Sequence, residues 1–155
     1  MSPVGGEACV FCEIVAGLRP VSLVWQDKQT LAFLDLRQFH PGHTLVIPRE
    51  HVSDIRGVDT DTAQALMATV VRVAQAVTAV FPRDGLSIWH SAGKGADQEV
   101  PHLHFHVHPR SIGDDVLRVY PRAPASPARD VLDAWASQLR QAIPVPNRRE
   151  LPERG

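Results

Sequence analysis

The chain has 155 residues and a formal net charge of -1. That length suits one domain with a real buried core, and the balanced charge supplies no basic surface of the kind nucleic acids require. Two cysteines, Cys9 and Cys12, are too few for a disulfide-built secreted scaffold and point to a reducing, cytoplasmic compartment. The start MSPVGGEACV lacks a charged-then-apolar signal pattern, and no apolar run approaches the ~20 residues of a membrane span.

Residues 1–8 read as a flexible lead-in. Residues 9–15 are apolar apart from Glu13 and predict a short helix ending at Gly17. Residues 22–25 and 30–34 predict two strands around the turn-like Gln26-Asp27-Lys28. His40-Pro41-Gly42 signals a turn, and residues 44–47 a short strand stopped by Pro48. From 61 to 80 the period changes. Leu66, Val70, Val73, Val77 and Val80 recur at three- and four-residue steps, as on one face of an amphipathic helix. Asp59, Thr60 and Asp61 are its N-cap candidates, and Pro82 follows its end. Residues 86–90 predict another strand, and the loop SAGKGAD leads from it into VPHLHFHVHPR. Ser126-Pro127 reads as an N-cap followed by proline at the first helical position. Val131, Trp135 and Leu139 line one face of that last helix, which Pro144 ends; residues 144–155 read as a flexible tail. Strands joined by tight turns, with two longer helices, predict an α+β fold on an antiparallel sheet of about five strands, in one domain over 9–143.

Half of the eight histidines fall in residues 100–110, at every second position. On a strand, side chains alternate between faces. His102, His104, His106 and His108 then share one face, while Leu103, Phe105 and Val107 share the other and can pack on a core. Three readings of the histidine face compete. It is an incidental polar face whose rings find hydrogen bonds; or a metal site, since imidazole is the commonest metal ligand; or a nucleophile with acid–base partners for chemistry at phosphorus. Likewise, a lone Cys-x-x-Cys reads as a redox motif, half a zinc site or two buried thiols.

Residues 98–108, QEVPHLHFHVH, resemble the Q-x-V-x-H-x-H-x-H-x-x motif of the histidine triad (HIT) family. CVFCEIVAG resembles that family's N-terminal segment, TLAFLDLRQFHPGHTLVIPREH its central strand pair, and GLSIWHSAGKGADQ the strand and loop before the triad. The resemblance runs in consistent order over residues 9–110.

This resemblance implies a HIT-like fold whose sheet is extended by homodimerisation, and a nucleotide hydrolase or transferase acting at the α-phosphate. The closest activity is a purine nucleoside phosphoramidase; a dinucleoside polyphosphate hydrolase or phosphorylase and a nucleotide-binding regulatory module are the alternatives. His104 takes the nucleophile's place, with His106 and His43 donating to phosphate oxygens and Gln98 placing water and phosphate. Asp35 takes the place of the residue holding the ribose hydroxyls; as a bare residue it is equally an ordinary turn aspartate. Phe11, Ile14, Phe33 and Leu36 match the apolar wall around the base; Val100 lies near the substrate, and Ser91 stands where many members carry Asn or Gln near it. In zinc-bearing relatives Cys9, Cys12, His51 and His102 correspond to one closed, structural Cys2His2 site, while the catalytic chemistry needs no metal. The ligand expected is a purine nucleotide or nucleotide conjugate, with no nucleic acid and no membrane. Departures are Asp97 where glycine is usual, Glu99 where serine or threonine touches phosphate, and the extra His108.

Overall fold

The computed structural model describes residues 8–144. Of the expected lead-in and tail, all but residues 8 and 144 lie outside it. The residues up to Val116 form one compact unit and those from Leu117 a second.

The first unit is a five-stranded sheet with a helix on each face. Helix α1 (Val10–Val15) begins at Cys9, whose sulfur accepts the Cys12 backbone N–H at 3.4 Å. Then come β1 (Leu23–Gln26), β2 (Thr30–Leu34), β3 (Thr44–Pro48), the long α2 (Thr60–Val80), β4 (Gly85–Trp89) and β5 (Phe105–Arg110). The strand order is β1-β2-β3-β5-β4, and every pairing is antiparallel. This is the α+β architecture expected. Of the three N-cap candidates Asp59 serves, its carboxylate accepting the Thr62 N–H at 2.8 Å.

Strand alternation divides the core in two. Ala32, Val46, Leu103 and Val107 meet Leu66, Val70, Val73 and Val77 of α2. On the opposite face Leu31, Phe33, Leu45 and Ile47 meet Phe11 of α1. Each fully buried valine, leucine, isoleucine or phenylalanine among them contributes about 1.5–3 kcal/mol. By length and composition α2 equals a membrane span, which the sequence reading did not anticipate. Its buried stripe, Leu66-Thr69-Val70-Val73-Val77, lies against the sheet, as in a core helix.

Two local expectations need correction. The histidine strand starts at Phe105, not at Val100, so His102 and His104 precede it in irregular chain. Pro48, expected to stop β3, is its last residue, and Pro109 is the fifth of the six residues of β5. Beyond Val107, β5 pairs only with β4, so Pro109 loses no bond to β3. The turn before β3 needs Gly42: at φ +109°, a Cβ there would lie 2.8 Å from the Phe81 ring.

The second unit contains α3 (Arg129–Ala142). Its N-cap is Ala128, with no side-chain cap bond, rather than the expected Ser126. No residue of α3 is buried; Trp135 and Leu139 are exposed.

Candidate active site

The irregular chain before β5 gives His104 its orientation. Its Nδ1–H donates to the His102 carbonyl at 2.7 Å, so Nε2 keeps its lone pair. The ring is 6% exposed, and Phe11 packs edge-on at 5.3 Å. Burial pushes the imidazole's pKa down, so it stays neutral at neutral pH. A fixed tautomer, an unprotonated nitrogen and a dry apolar neighbour are the requirements of a nucleophile.

His106 follows on β5. Trp89, opposite it in the β4 register, stacks on its ring at 4.4 Å and 4°. Burial, then the neighbouring His104 and His43, push the His106 pKa down to about 3. His43 connects to it directly: His43 Nδ1–H donates to the Arg37 carbonyl at 3.1 Å, and Nε2 faces His106 Nδ1 at 2.9 Å. Both nitrogens of His43 are thus engaged, and it can act on an anion through His106. When the pair is neutral, the proton between them belongs to His106 Nδ1. One further proton on the pair turns His106 Nε2 into a donor. Asp35 lies beside this pair, Oδ2 3.9 Å from His43 Nε2, while its Oδ1 accepts the Arg37 N–H at 2.7 Å.

The other expected residues separate into those that reach this cluster and those that support it. Ile14 and Val100 pack with Phe11 and Phe33 in the second core cluster, whereas Leu36 is fully exposed. Ser91 opens the loop after β4, half-buried. Gln98 clamps that loop: its Oε1 accepts the Gly93 N–H at 2.8 Å, and its Nε2 donates to the Ser53 and Val100 carbonyls. Asp97 adopts the left-handed conformation, φ 58°, at the place where glycine is usual; Asp and Asn are the larger residues that visit it. Glu99 does not stand as an unpaired charge. Arg37 meets it through both terminal nitrogens, at 3.3 and 2.8 Å, and this ion pair holds the Glu99 carboxyl below the usual range.

Sequence reasoning passed over Trp89, His90 and Arg37. His90 donates from Nδ1 to the His104 carbonyl at 3.0 Å and accepts the Ile55 N–H, steadying the segment that carries His104. The signal was present in the "WH" ending β4, yet only the β4–β5 register places it opposite the triad. His108 is buried, donates to the Pro109 carbonyl and packs at 4.7 Å from His43.

A separate cluster joins Cys9, Cys12, His51 and His102, whose donor atoms all lie within 4.8 Å of one another. His102 Nε2–H donates to the Pro48 carbonyl at 2.9 Å, leaving Nδ1 as a lone pair facing Cys9 Sγ at 3.5 Å and Cys12 Sγ at 3.6 Å. His51 Nδ1 lies 3.2 Å from Cys12 Sγ. Bond lengths of ~2.3 Å to sulfur and ~2.0 Å to nitrogen give S···N edges of about 3.5 Å in a tetrahedral site. The set therefore fits a closed four-ligand metal. Without metal, burial and the neighbouring Cys9 push the Cys12 thiol up to about 11.

Burial holds His43, His102, His104, His106 and His108 neutral, all below the ordinary histidine pKa. Below pH ~6.5 the unfolded chain binds more protons than the folded one. Stability is thus complete above that pH and is lost as pH falls, for His106 across the window down to about 3. Thermal melting should fall steadily from about pH 7 to about pH 4.5. A flat profile would show that the folded rings protonate freely.

The HIT domain profile matches residues 18–112. Protein hit of Bacillus subtilis is 38% identical over 104 residues, covering 67% of this chain and 72% of that protein. A Schizosaccharomyces pombe protein named adenosine 5'-monophosphoramidase is 31% identical over 121 residues, covering 77% and 88%. Among solved structures, a HIT family member from Bacillus subtilis superposes with a TM-score of 0.84 at 31% identity, covering 90% of this chain and all of that one. A Zn-bound histidine triad protein from Mycobacterium smegmatis gives 0.65 at 37% identity, covering 88% and 98%.

Proposed function

The chain belongs to the HIT-domain family, and from that premise we propose that it is a nucleotide hydrolase or transferase of the nucleoside phosphoramidase kind, working through His104. The observation that carries this reading is the His104 tautomer: Nδ1–H given to the His102 carbonyl, Nε2 left as a buried, neutral lone pair beside His106. In the first displacement, Nε2 bonds to the α-phosphorus. The P–N bond to the leaving group breaks, and its electron pair departs on nitrogen, which takes a proton from solvent. In the second, water attacks phosphorus, the P–Nε2 bond breaks with its electron pair returning to His104, and the water's proton passes to solvent as the nucleoside monophosphate leaves. Bound phosphate favours the extra proton on the His43–His106 pair, since His106 Nε2–H then becomes a donor to it.

Cys9, Cys12, His51 and His102 would hold one zinc ion. It supplies cross-linking and no chemistry, because four protein ligands leave no open position. Through His102 it would tie α1 to the segment orienting His104. The cytoplasmic placement and the homodimer belong to the same proposal.

The deciding assay compares turnover of an adenosine phosphoramidate with that of a diadenosine polyphosphate. Preference for the first supports the phosphoramidase reading; preference for the second supports the dinucleoside polyphosphate reading. Nucleotide binding with neither turned over supports the regulatory module. Asp35 should hold the ribose through Oδ2, since Oδ1 is taken by the Arg37 N–H. Each hydrogen bond lost to its charge costs about 1.5–3 kcal/mol, so Asp35→Ala should weaken AMP binding at least tenfold. Dideoxy-AMP should be affected much less, and equal losses would refute ribose recognition.

A further inference from the structure

Beside the histidine cluster lies a charged pair that the two displacements do not use. Arg37 and Glu99, 62 residues apart in the chain, meet through both terminal guanidinium nitrogens at 3.3 and 2.8 Å. Arg37 stands between β2 and β3, where its backbone N–H holds Asp35 Oδ1 and its carbonyl holds the His43 ring. Glu99 stands in the lead into β5, between the Gln98 clamp and Val100, which packs in the cluster of Phe11. Both side chains stay open to water, 73% and 66% exposed. The pair thus lies at the rim of the site. We propose that Glu99 is a specificity-determining residue, which together with Arg37 favours leaving groups that carry a positive charge over those that carry a negative one. The inference rests on the phosphoramidase reading and names the leaving-group class within it.

Charge balance favours a cation. Asp35 and Glu99 bring two carboxylates to one guanidinium, so one negative charge is in excess beside neutral rings. The charge of Arg37 is already shared: its terminal nitrogens lie on Glu99, and its Nε is 3.8 Å from Asp35 Oδ1. A carboxylate oxygen accepts more than one hydrogen bond, so Glu99 can take an ammonium N–H from the water side without leaving Arg37. An anionic arm finds the guanidinium engaged and meets the charge of Glu99. Position agrees with this. Burial pushes the His104 pKa down, but the charges of Asp35 and Glu99 both oppose it, so both fields reach the ring that attacks phosphorus. With ribose on Asp35 and His104 Nε2 on phosphorus, the leaving group extends away from His104 toward solvent, and Glu99 is the carboxylate left to meet it. Exposed ion pairs are weakly held and screened by salt, so the selection should fade as ionic strength rises.

The test uses three adenosine phosphoramidates that share one P–N bond and one unbranched arm, ending in ammonium, methyl or carboxylate (made from 1,4-diaminobutane, pentylamine and 5-aminopentanoate). At low salt, kcat/KM of the full chain should favour the ammonium arm over the carboxylate arm by about tenfold or more, and the ratio should shrink as salt is added. Glu99→Gln should remove most of that preference; comparing proteins cancels the differing basicity of the leaving amines. Arg37→Gln breaks the same ion pair but keeps the charge of Glu99, so it should keep or widen the preference. Both side chains are exposed, and each variant should melt within about 2 °C of the unaltered chain. A preference that survives Glu99→Gln, or one that Arg37→Gln abolishes as well, would overturn the proposal. Calorimetry on His104→Ala reads binding of the same series without turnover. The affinities should follow the same order, and that order should vanish when Glu99→Gln is added. Glu99-dependent order in binding, with no arm turned over by the unaltered chain, would keep the charge selection and reject the phosphoramidase reading. Turnover of all three without regard to charge would do the reverse.

Discussion

His104→Ala should lower turnover of an adenosine phosphoramidate by on the order of 10⁴–10⁶-fold, the range found when a covalent nucleophile is removed. The loss falls on kcat, because the bond that fails to form exists only after binding. Affinity for AMP should change by less than about threefold, since Asp35 and the apolar cluster around Phe11 remain. A second observation isolates the covalent step. Acid-quenched unaltered enzyme should carry a nucleotidyl adduct on His104, and His104→Ala should carry none. A rate within about tenfold of the unaltered enzyme would place the nucleophile elsewhere. His106→Ala should leave measurable turnover, because it removes a phosphate donor and the Trp89 stack but spares the lone pair on His104.

Removal of zinc should have the second-largest effect, and mainly on stability. The purified chain should contain one zinc, lost in Cys12→Ser. Four donors from α1, the segment after β3 and the lead into β5 would be cross-linked by it. Zinc-peptide sites are worth about 10–16 kcal/mol where folding depends wholly on the metal. This chain keeps two apolar clusters without it, so only part of that is lost. A loss of several kcal/mol lowers the melting temperature by on the order of 10 °C in a chain of this size. Acid should release the metal, because protons compete for the thiolates, and chelator should release it faster below about pH 6. Activity should fall only as far as His104 loses its orientation through His102. No zinc in the purified protein, with both thiols titrating freely, would reject the site. The assignment of His104 would survive that result.

The sequence made much of this molecule legible because the relevant signals are local. The three- and four-residue steps from Leu66 to Val77 announce α2, which buries that stripe. Period-two alternation announces the packing face of Leu103, Phe105 and Val107. The spacing of QEVPHLHFHVH carried the family, since each of its residues lies within one short segment. The features misjudged, the end of β3, the start of β5 and the N-cap of α3, are boundaries. There, local preference is weak and neighbouring contacts decide. Leu36 resembled a pocket wall by position but is fully exposed. Nothing in its own residue type reveals that.

The sequence by itself marked the candidates for chemistry: a spaced set of histidines, an acidic residue after β2, and a Cys-x-x-Cys at the start of an apolar helix. It could not determine the hydrogen state of any ring. Whether His104 keeps its lone pair on Nε2 depends on the His102 carbonyl, and His102 Nδ1 faces the cysteines because Pro48, 54 positions earlier, takes its Nε2–H. Trp89 meets His106 because β4 pairs with β5 in one particular register. Arg37 neutralises Glu99 across 62 residues of chain. Tautomer, protonation and charge balance are set by the few atoms within a hydrogen bond's reach. In this fold those atoms come from segments far apart in the chain, so only the folded structure could assign them.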